Sequence, residues 1–251
     1  MHANGASTPE LSVATSAAPL VSRRVGQPDS GAPLEHAPFT PARDWLLWQL
    51  ADSAFPTGGF AHSSGLEAVY QQAEVRGRDE LRGFLEASLR QQFHLALPFV
   101  VGAHRAPKEL KQLDEWFDTF LTNHVANRAS RAQGRSWLAV VRKMFKLADP
   151  QPPCGHFAPV YGALCRELGV DESSTCHLFL FLQLRSVISS AVRLNIVGPL
   201  EAQALQHEAS GFARQLLERT VPEMADAVQT APLLEIWQGA HDRLYARLFQ
   251  S

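Results

Sequence analysis

The sequence has 251 residues, 45% of them hydrophobic and 19% charged, a composition typical of a globular protein with a sizeable core. The formal net charge of -2 lacks the basic excess that holds a phosphate backbone, so nucleic acid is not expected as a partner. The 3 cysteines, an odd number, argue against a disulfide framework and favour a reducing, cytoplasmic location. The longest apolar run, residues 178–184, is far shorter than the roughly 20 residues that span a bilayer, so no membrane association is expected.

Residues 1–40 differ from the rest of the chain in composition. They are rich in Ala, Ser, Gly and Pro and contain few large apolar side chains. Such a segment cannot bury enough apolar surface to offset the entropy of ordering it. We therefore predict a disordered leader over residues 1–40, followed by one all-helical domain over residues 41–251.

The first predicted helices flank a glycine-rich loop. Asp44 is a suitable N-cap for a helix over residues 45–51, and residues 56–60 interrupt it with Pro and a Gly pair. The next helix is predicted to begin at Ser63 or Ser64, because Ser64 and Glu67 have the spacing of a capping box.

A long amphipathic pattern follows over residues 78–103, with leucine or phenylalanine at every fourth position. Pro98 lies inside this pattern and is expected to kink or end the helix. Pro107 is expected to open the next helix at a first-turn position. On that helix Asp114 and Glu115 are interpreted as part of a solvated face.

The remaining segments also predict helices. One covers residues 125–147 and ends at a proline-rich break at 149–153. Later helices are predicted at the following positions: 156–168, 173–195, 199–219 and 231–249. The helix at 173–195 is apolar around much of its circumference, as is typical of a helix buried on several sides. No sustained period-two alternation indicates strands, so we predict an all-α bundle wrapped around this central helix.

No motif in the sequence predicts an enzyme. The loop at 56–60 has a Gly pair, but it has neither the Lys nor the preceding strand of a phosphate-binding loop. It is interpreted as a structural turn. Nucleophile-elbow, HExxH and kinase patterns are absent from the sequence.

Cys154 and His156 are the one place where a soft ligand and an imidazole lie close together. They could contact a transition-metal ion transiently. The alternative is purely structural: a loop cysteine beside a histidine that begins a helix.

Two segments are candidates for partner binding. Arg128, Arg131 and Arg135 fall on one face of a helix, and this face is either solvated or a docking surface for an acidic partner. The second candidate lies at the end of the chain and is rich in aromatic and basic side chains: Arg243, Tyr245, Arg247, Leu248 and Phe249. Such a segment either binds a partner or docks on its own domain. Both readings remain open from the residues alone.

Five motifs, in order along the chain, resemble the UreF family of urease accessory proteins. They are LLWQLADSAFPTGGF at 46–60 running into SSGLE at 63–67, NRASRAQGR at 127–135, GHFAPVYG at 155–162, SAVRLN at 190–195 with GPLEAQ at 198–203, and YARLFQS at 245–251. The first and last are specific to the family, and the order of all five strengthens the match.

The resemblance implies a non-catalytic, all-α homodimer that works with UreD (also called UreH) and the GTPase UreG to deliver nickel to apo-urease. It implies no tightly bound cofactor, since nickel is handled by the complex. The terminal residues and the arginine face are then the expected partner-binding sites. The first loop supplies the expected dimer or loop contacts, through Pro56, Gly58, Gly59, Phe60 and His62. The alternative function is a metallochaperone that binds nickel itself through Cys154, His156 and other histidines.

Overall fold

The structure is a computed structural model that describes residues 41–147 and 151–251. The predicted leader, residues 1–40, lies outside the described residues. Throughout the described ranges every regular element is helical and no strand is present, which confirms the predicted all-α class.

Ten α-helices follow one another in the described part of the chain. They are α1 (Pro41–Ala51), α2 (Leu66–Gln71), α3 (Arg78–Gln91), α4 (Leu97–Arg105), α5 (Leu110–Phe120), α6 (His124–Phe145), α7 (Phe157–Glu167), α8 (Glu172–Arg193), α9 (Pro199–Leu217) and α10 (Pro232–Ala240). Short 3₁₀ turns lie at Gly59–Ala61, Pro107–Glu109, Met224–Asp226 and His241–Arg243, and a π-helical turn joins α3 to α4 at Gln92–Ala96.

Three local predictions at helix ends are wrong. Helix α1 begins at Pro41, so Asp44 lies in its first turn and is not its N-cap. The capping box at Ser64 is not formed, because α2 begins one residue after Gly65, whose φ of +89° ends any helical path from Ser64. The last helix does not reach residue 249 but ends at Ala240. The Glu67 carboxylate binds the Leu248 and Phe249 amides and contacts His241, so it serves the terminal segment rather than the start of its own helix.

Pro98 does not end the helix, since residues 78–105 stay helical, but a π-helical turn lies just before it and positions a later segment. Proline has no N–H, so the carbonyl of His94, four residues earlier, loses its α-helical donor. The π-helical turn lies at this point, and the His94 carbonyl accepts a hydrogen bond of 3.1 Å from the Val228 amide instead. Beside it, the side-chain oxygen of Gln91 accepts from the amides of Thr230 (2.6 Å) and Ala231 (3.0 Å). These bonds fix the start of α10.

The core is built around α7 and α8. As predicted, α8 is central: it contacts α1, α2, α3, α4, α7 and α9. It is also long and apolar enough to cross a membrane by length and composition, but 61% of its apolar window is buried, as expected for the core helix of a globular domain. The sequence did not indicate that α7 is buried more completely, with every residue from Phe157 to Cys165 in the interior.

Gly162 allows α7 to approach α4 closely. A Cβ atom at this position would lie 2.1 Å from the carbonyl oxygen of Val100, which is backbone and cannot rotate away. We expect Gly162→Ala to lower the free energy of unfolding by about 2–3 kcal/mol in chemical denaturation, because the two helices must separate. Gly211→Ala in α9 is the matched control, since nothing lies within 4 Å of its added Cβ. It should leave stability unchanged or raise it by up to about 1 kcal/mol. Equal effects of the two variants would contradict this packing.

Candidate functional site

The terminal segment, residues 241–251, folds back onto the chain between the first loop and α2. The amide of Gln250 donates to the carbonyl of Ala61 at 2.8 Å, and the amide of Ser63 donates to the backbone oxygen of Ser251 at 2.6 Å. The Ser63 hydroxyl donates to the same oxygen at 3.1 Å. The first and last motifs of the sequence therefore meet in space, although they lie almost 190 residues apart.

Glu67 holds the terminal segment from inside the protein, and we call this set of contacts the junction at Glu67. Its side chain is only about 1% exposed. One carboxylate oxygen accepts from the Leu248 amide at 2.5 Å, and the other accepts from the Phe249 amide at 3.2 Å and lies 3.0 Å from Nε2 of His241. A buried carboxylate with three donors is a strong attachment point, because a hydrogen bond to a charged acceptor is stronger than one between neutral groups.

The terminal segment has an inner and an outer side. Phe249 is buried, and the Arg193 guanidinium lies 4.3 Å from the centre of its ring. Tyr245 is fully exposed and Leu248 is half exposed. The self-docking that the sequence left open is thus observed for the inner side, while the outer side presents apolar surface to solvent.

The arginine face of α6 also contacts the terminal segment. Asp242 lies 2.7 Å from Nη2 of Arg128, 3.2 Å from Nε2 of His124 and 3.4 Å from Nη1 of Arg247. The hydrogen bond from Arg128 lowers the pKa of Asp242. Further along the same face Arg131 is half-buried and Arg135 is exposed. Arg243, in the terminal segment, is also exposed.

The first loop has an exposed outer side and one buried side chain. Pro56, Gly58 and Phe60 are exposed and Gly59 is half-buried, while Gly58 adopts φ +72° to make the turn. The Phe60 ring lies 5.7 Å from the Arg185 guanidinium on α8. His62, in contrast, points inward and its Nδ1 lies 2.6 Å from the Ser251 hydroxyl.

His62 makes the stability of this region depend on pH. Burial, together with the positive charge of Arg128, lowers the pKa of His62 from 6.5 to about 4. Between these values the unfolded chain binds a proton that the folded chain does not, so the free energy of unfolding falls as pH falls through this window. From pH 7 to pH 5 we expect wild type to lose about 2 kcal/mol more than His62→Gln in parallel denaturant titrations. His177→Gln, an exposed control, should lose as much as wild type. A His62→Gln profile parallel to the wild-type profile would contradict the assignment.

A second junction joins α5 to the loop before α7, and Asp114 forms it. Its side chain is 0% exposed, so the interpretation of a solvated face is wrong for this residue. Its carboxylate accepts three successive backbone amides, from Cys154 (2.6 Å), Gly155 (2.8 Å) and His156 (2.7 Å). Successive amides of this kind form an anion-binding concavity, and here the anion is a side chain of the same protein.

The α6 motif at 127–135 packs against the same loop. The Ser130 hydroxyl accepts the amide of Phe157 at 3.2 Å and lies 3.1 Å from Nδ1 of His156. Gly134, one turn later, gives the loop room, because a Cβ there would lie 2.2 Å from the Gly155 carbonyl oxygen. The Ser-x-x-x-Gly spacing on α6 is thus explained by its contact with the Gly-His-Phe motif.

The two predicted metal ligands are joined by a third side chain, Asp118. Nε2 of His156 lies 2.8 Å from Oδ1 of Asp118, and one ligand atom each from Asp118, Cys154 and His156 lies within 4.8 Å of the other two. Burial raises the pKa of the Cys154 thiol, and Asp114 and Asp118 add to this effect. Burial lowers the pKa of His156, whereas a hydrogen bond from Asn127 lowers that of Asp118. We call these three residues the donor cluster.

Comparison with known proteins places the chain in a family. A family model described as UreF matches residues 75–210. The protein named urease accessory protein F from Oryza sativa subsp. indica is 39% identical over 219 residues, covering 82% of this chain and 84% of the relative. The chain belongs to the UreF family of urease accessory proteins. Other UreF relatives occur in Arabidopsis thaliana, 38% identical over 221 residues (82% of this chain, 92% of the relative), and in Mycobacterium tuberculosis, 28% identical over 209 residues (82% and 98%).

The UreF resemblance indicated by the five motifs is therefore confirmed. In the structure, four of these motifs are in contact in two pairs. The motifs at 46–67 and 245–251 build the junction at Glu67. The motifs at 127–135 and 155–162 build the junction below Asp114. The predicted site residues thus lie in two groups, one at each junction, with Arg128 contacting the terminal segment.

Sequence reasoning missed the residues that hold both junctions together, which are Glu67, Asp114, Asp118, Ser130 and Arg193. One signal could have revealed Asp114. It lies on the same stripe of α5 as Leu110 and Phe117, where a carboxylate needs a partner because burial of a lone charge is costly. Glu67 gave no such signal, since its local spacing fits a capping box equally well.

Proposed function

We propose that this chain is a non-catalytic scaffold of urease maturation that binds UreD (UreH) through the outer side of its terminal segment. In this role it recruits the GTPase UreG and takes part in delivering nickel to apo-urease in the cytoplasm, without a tightly bound cofactor of its own. Membership of the UreF family supports an accessory role. The observation that supports the docking site is the terminal segment itself, which is clamped on its inner side and apolar on its outer side.

The exposed apolar groups of this part of the chain are concentrated in two neighbouring elements. Helix α10 exposes Leu233 (59%) and Ile236 (66%), and the terminal segment that follows it exposes Tyr245 and Leu248 (53%). Large apolar side chains in solvent mark interaction surfaces, and tyrosine is over-represented among the residues that dominate binding energies. A segment already held by Glu67 binds without a large ordering cost, which favours useful affinity.

The homodimer belongs to the same proposal, with the first loop and α1 as its contact. Trp45 and Trp48 on α1 are more than half exposed, and their rings make an edge contact with 5.3 Å between centroids. Phe60 adds apolar surface from the loop. Arg131 and Arg135 remain the proposed contacts for UreG, because their face is basic, Arg135 is exposed and Arg131 is partly exposed.

Copurification with UreD tests the docking site. Tyr245→Ala combined with Leu248→Ala removes outer side chains and leaves the Glu67 bonds to the backbone in place. We expect UreD affinity to fall by about 10- to 100-fold, since hot-spot residues cost more than about 1 kcal/mol each. Leu200→Ala is the control, because Leu200 is 89% exposed at the start of α9. UreD binding that is equal for the double variant, the control and wild type would reject the proposal.

A further inference from the structure

We propose that the donor cluster of Asp118, Cys154 and His156 binds one divalent transition-metal ion of borderline softness, such as Zn²⁺ or Ni²⁺. The site lies where α5 meets the loop before α7. It is formed within one chain, so it does not depend on the proposed binding of UreD or UreG. The pair Cys154 and His156 was visible in the sequence, and the structure adds the third donor.

The three side chains supply a sulfur, a nitrogen and an oxygen donor, a set that suits Zn²⁺ and Ni²⁺ better than Mg²⁺ or Ca²⁺. On a tetrahedral ion with bonds of about 2.0–2.3 Å, neighbouring donors lie roughly 3–4 Å apart. Each of the three donors lies within 4.8 Å of the others, so small side-chain rotations complete the geometry. The Asp118 side chain is 38% exposed, which leaves solvent access for entry of the ion and for a fourth ligand.

The donors are held in place by their neighbours. Asp114 fixes the backbone of Cys154 and His156 by accepting their amides, and the Asn127 side-chain amide donates to Oδ1 of Asp118 at 2.7 Å. Ser130 lies 3.1 Å from Nδ1 of His156, the ring nitrogen that faces away from the cluster. Outer partners of this kind set the orientation of metal ligands and raise affinity. The cluster therefore has the supporting contacts that a chance meeting of three side chains lacks.

A change of tautomer allows the neutral His156 imidazole to serve as a ligand. Without an ion, Nε2–H donates to Asp118 while the Ser130 hydroxyl donates to Nδ1. With an ion, the proton of the neutral imidazole resides on Nδ1 and is donated to the Ser130 oxygen, which frees the Nε2 lone pair. The Cys154 thiol binds as thiolate and releases one proton to water. The net reaction is uptake of one ion and release of one proton, with no change in oxidation state.

Titration of the reduced, metal-free full chain with Zn²⁺ and Ni²⁺ tests this site, followed by calorimetry and by near-ultraviolet absorption with Ni²⁺. We expect one equivalent per chain and a thiolate-to-nickel charge-transfer band. Cys154→Ala should abolish the band and weaken binding by more than about 100-fold, and Ser130→Ala should weaken it by about 10- to 100-fold. Asp118→Asn should weaken it while keeping the band.

The controls separate this site from the other cysteines and histidines. Cys176→Ala removes a buried thiol, and His177→Ala removes an exposed imidazole; both should bind like wild type. Cys154 is half-buried, so Cys154→Ser is a second, smaller change if the alanine variant loses helical signal in circular dichroism. Absence of stoichiometric binding, or a band and affinity that survive in both Cys154 variants, would overturn the proposal.

Discussion

Replacing Glu67 by glutamine is expected to release the terminal segment and to lower the free energy of unfolding by about 3 kcal/mol. The carboxylate accepts from the Leu248 and Phe249 amides and contacts His241 in the interior. A glutamine keeps one oxygen but turns an NH₂ donor towards these donors, so buried polar groups lose their partner, at about 1–3 kcal/mol each. Denaturant unfolding gives the energy, and hydrogen exchange of residues 244–251 gives the release.

Glu74→Gln is the matched control for this experiment. It makes the same chemical change on an exposed side chain just after α2. Surface substitutions usually change the free energy of unfolding by less than about 0.5 kcal/mol. If the Glu67 variant kept wild-type stability and slow exchange in the terminal segment, then Glu67 would not be the clamp. The inner side would then have to be held by the Phe249 ring and by the bonds of Ala61, His62 and Ser63 to residues 250–251.

The second large effect is expected at Asp114. In Asp114→Ala the amides of Cys154, Gly155 and His156 lose their acceptor together in a buried place. At about 1–3 kcal/mol for each unsatisfied donor, the loss of stability should be at least about 3 kcal/mol unless the loop moves into solvent. Whether the amides stay buried without an acceptor or the loop moves into solvent, the loop is held less firmly. The half-buried Cys154 should therefore react faster with a thiol reagent, whereas Cys165 and Cys176 stay buried.

The neighbouring Glu115 provides the control for Asp114. It is exposed on the same helix, so Glu115→Ala should match wild type in stability and in the rate of thiol labelling. Labelling of the Asp114 variant at the wild-type rate, with unchanged unfolding, would contradict the role given to its carboxylate. The loop would then have to be held by Ser130 and Gly134.

Local physics explains what the sequence predicted well. Leucine or phenylalanine at every fourth position before Pro98 predicts a helix, and Pro107 predicts the start of the next one. Both signals depend only on residues a few positions apart, so the sequence alone is enough to interpret them. Both were observed, and so was the central helix α8, whose apolar circumference needs burial whatever surrounds it.

Long-range polar contacts explain what it predicted wrongly. The spacing of Ser64 and Glu67 is that of a capping box, and only the return of residues 241–251 shows that the carboxylate has other donors. For the same reason the last helix was predicted too long. Beyond Ala240 the chain turns towards Glu67, where its amides find an acceptor that an isolated helix pattern cannot reveal.

The arginine face shows the same limit in its electrostatics. Arg128, Arg131 and Arg135 have equivalent spacing on α6, so the sequence gives no reason to separate them. In the structure Asp242 pairs with Arg128, which ties one member of the face to the terminal segment. Arg131 and Arg135 make no ion pair among the described residues, so a partner would meet a shorter basic face than the spacing suggests.

Urease activation in cells tests most directly the central claim that the outer side of the terminal segment binds another protein. Apo-urease, UreD and UreG are co-expressed with wild type, with the Tyr245→Ala and Leu248→Ala double variant, with Leu200→Ala or without this chain, at equal protein levels. We predict full activation with wild type and Leu200→Ala, and activity from the double variant near the level without the chain. Full activation by the double variant would contradict the account.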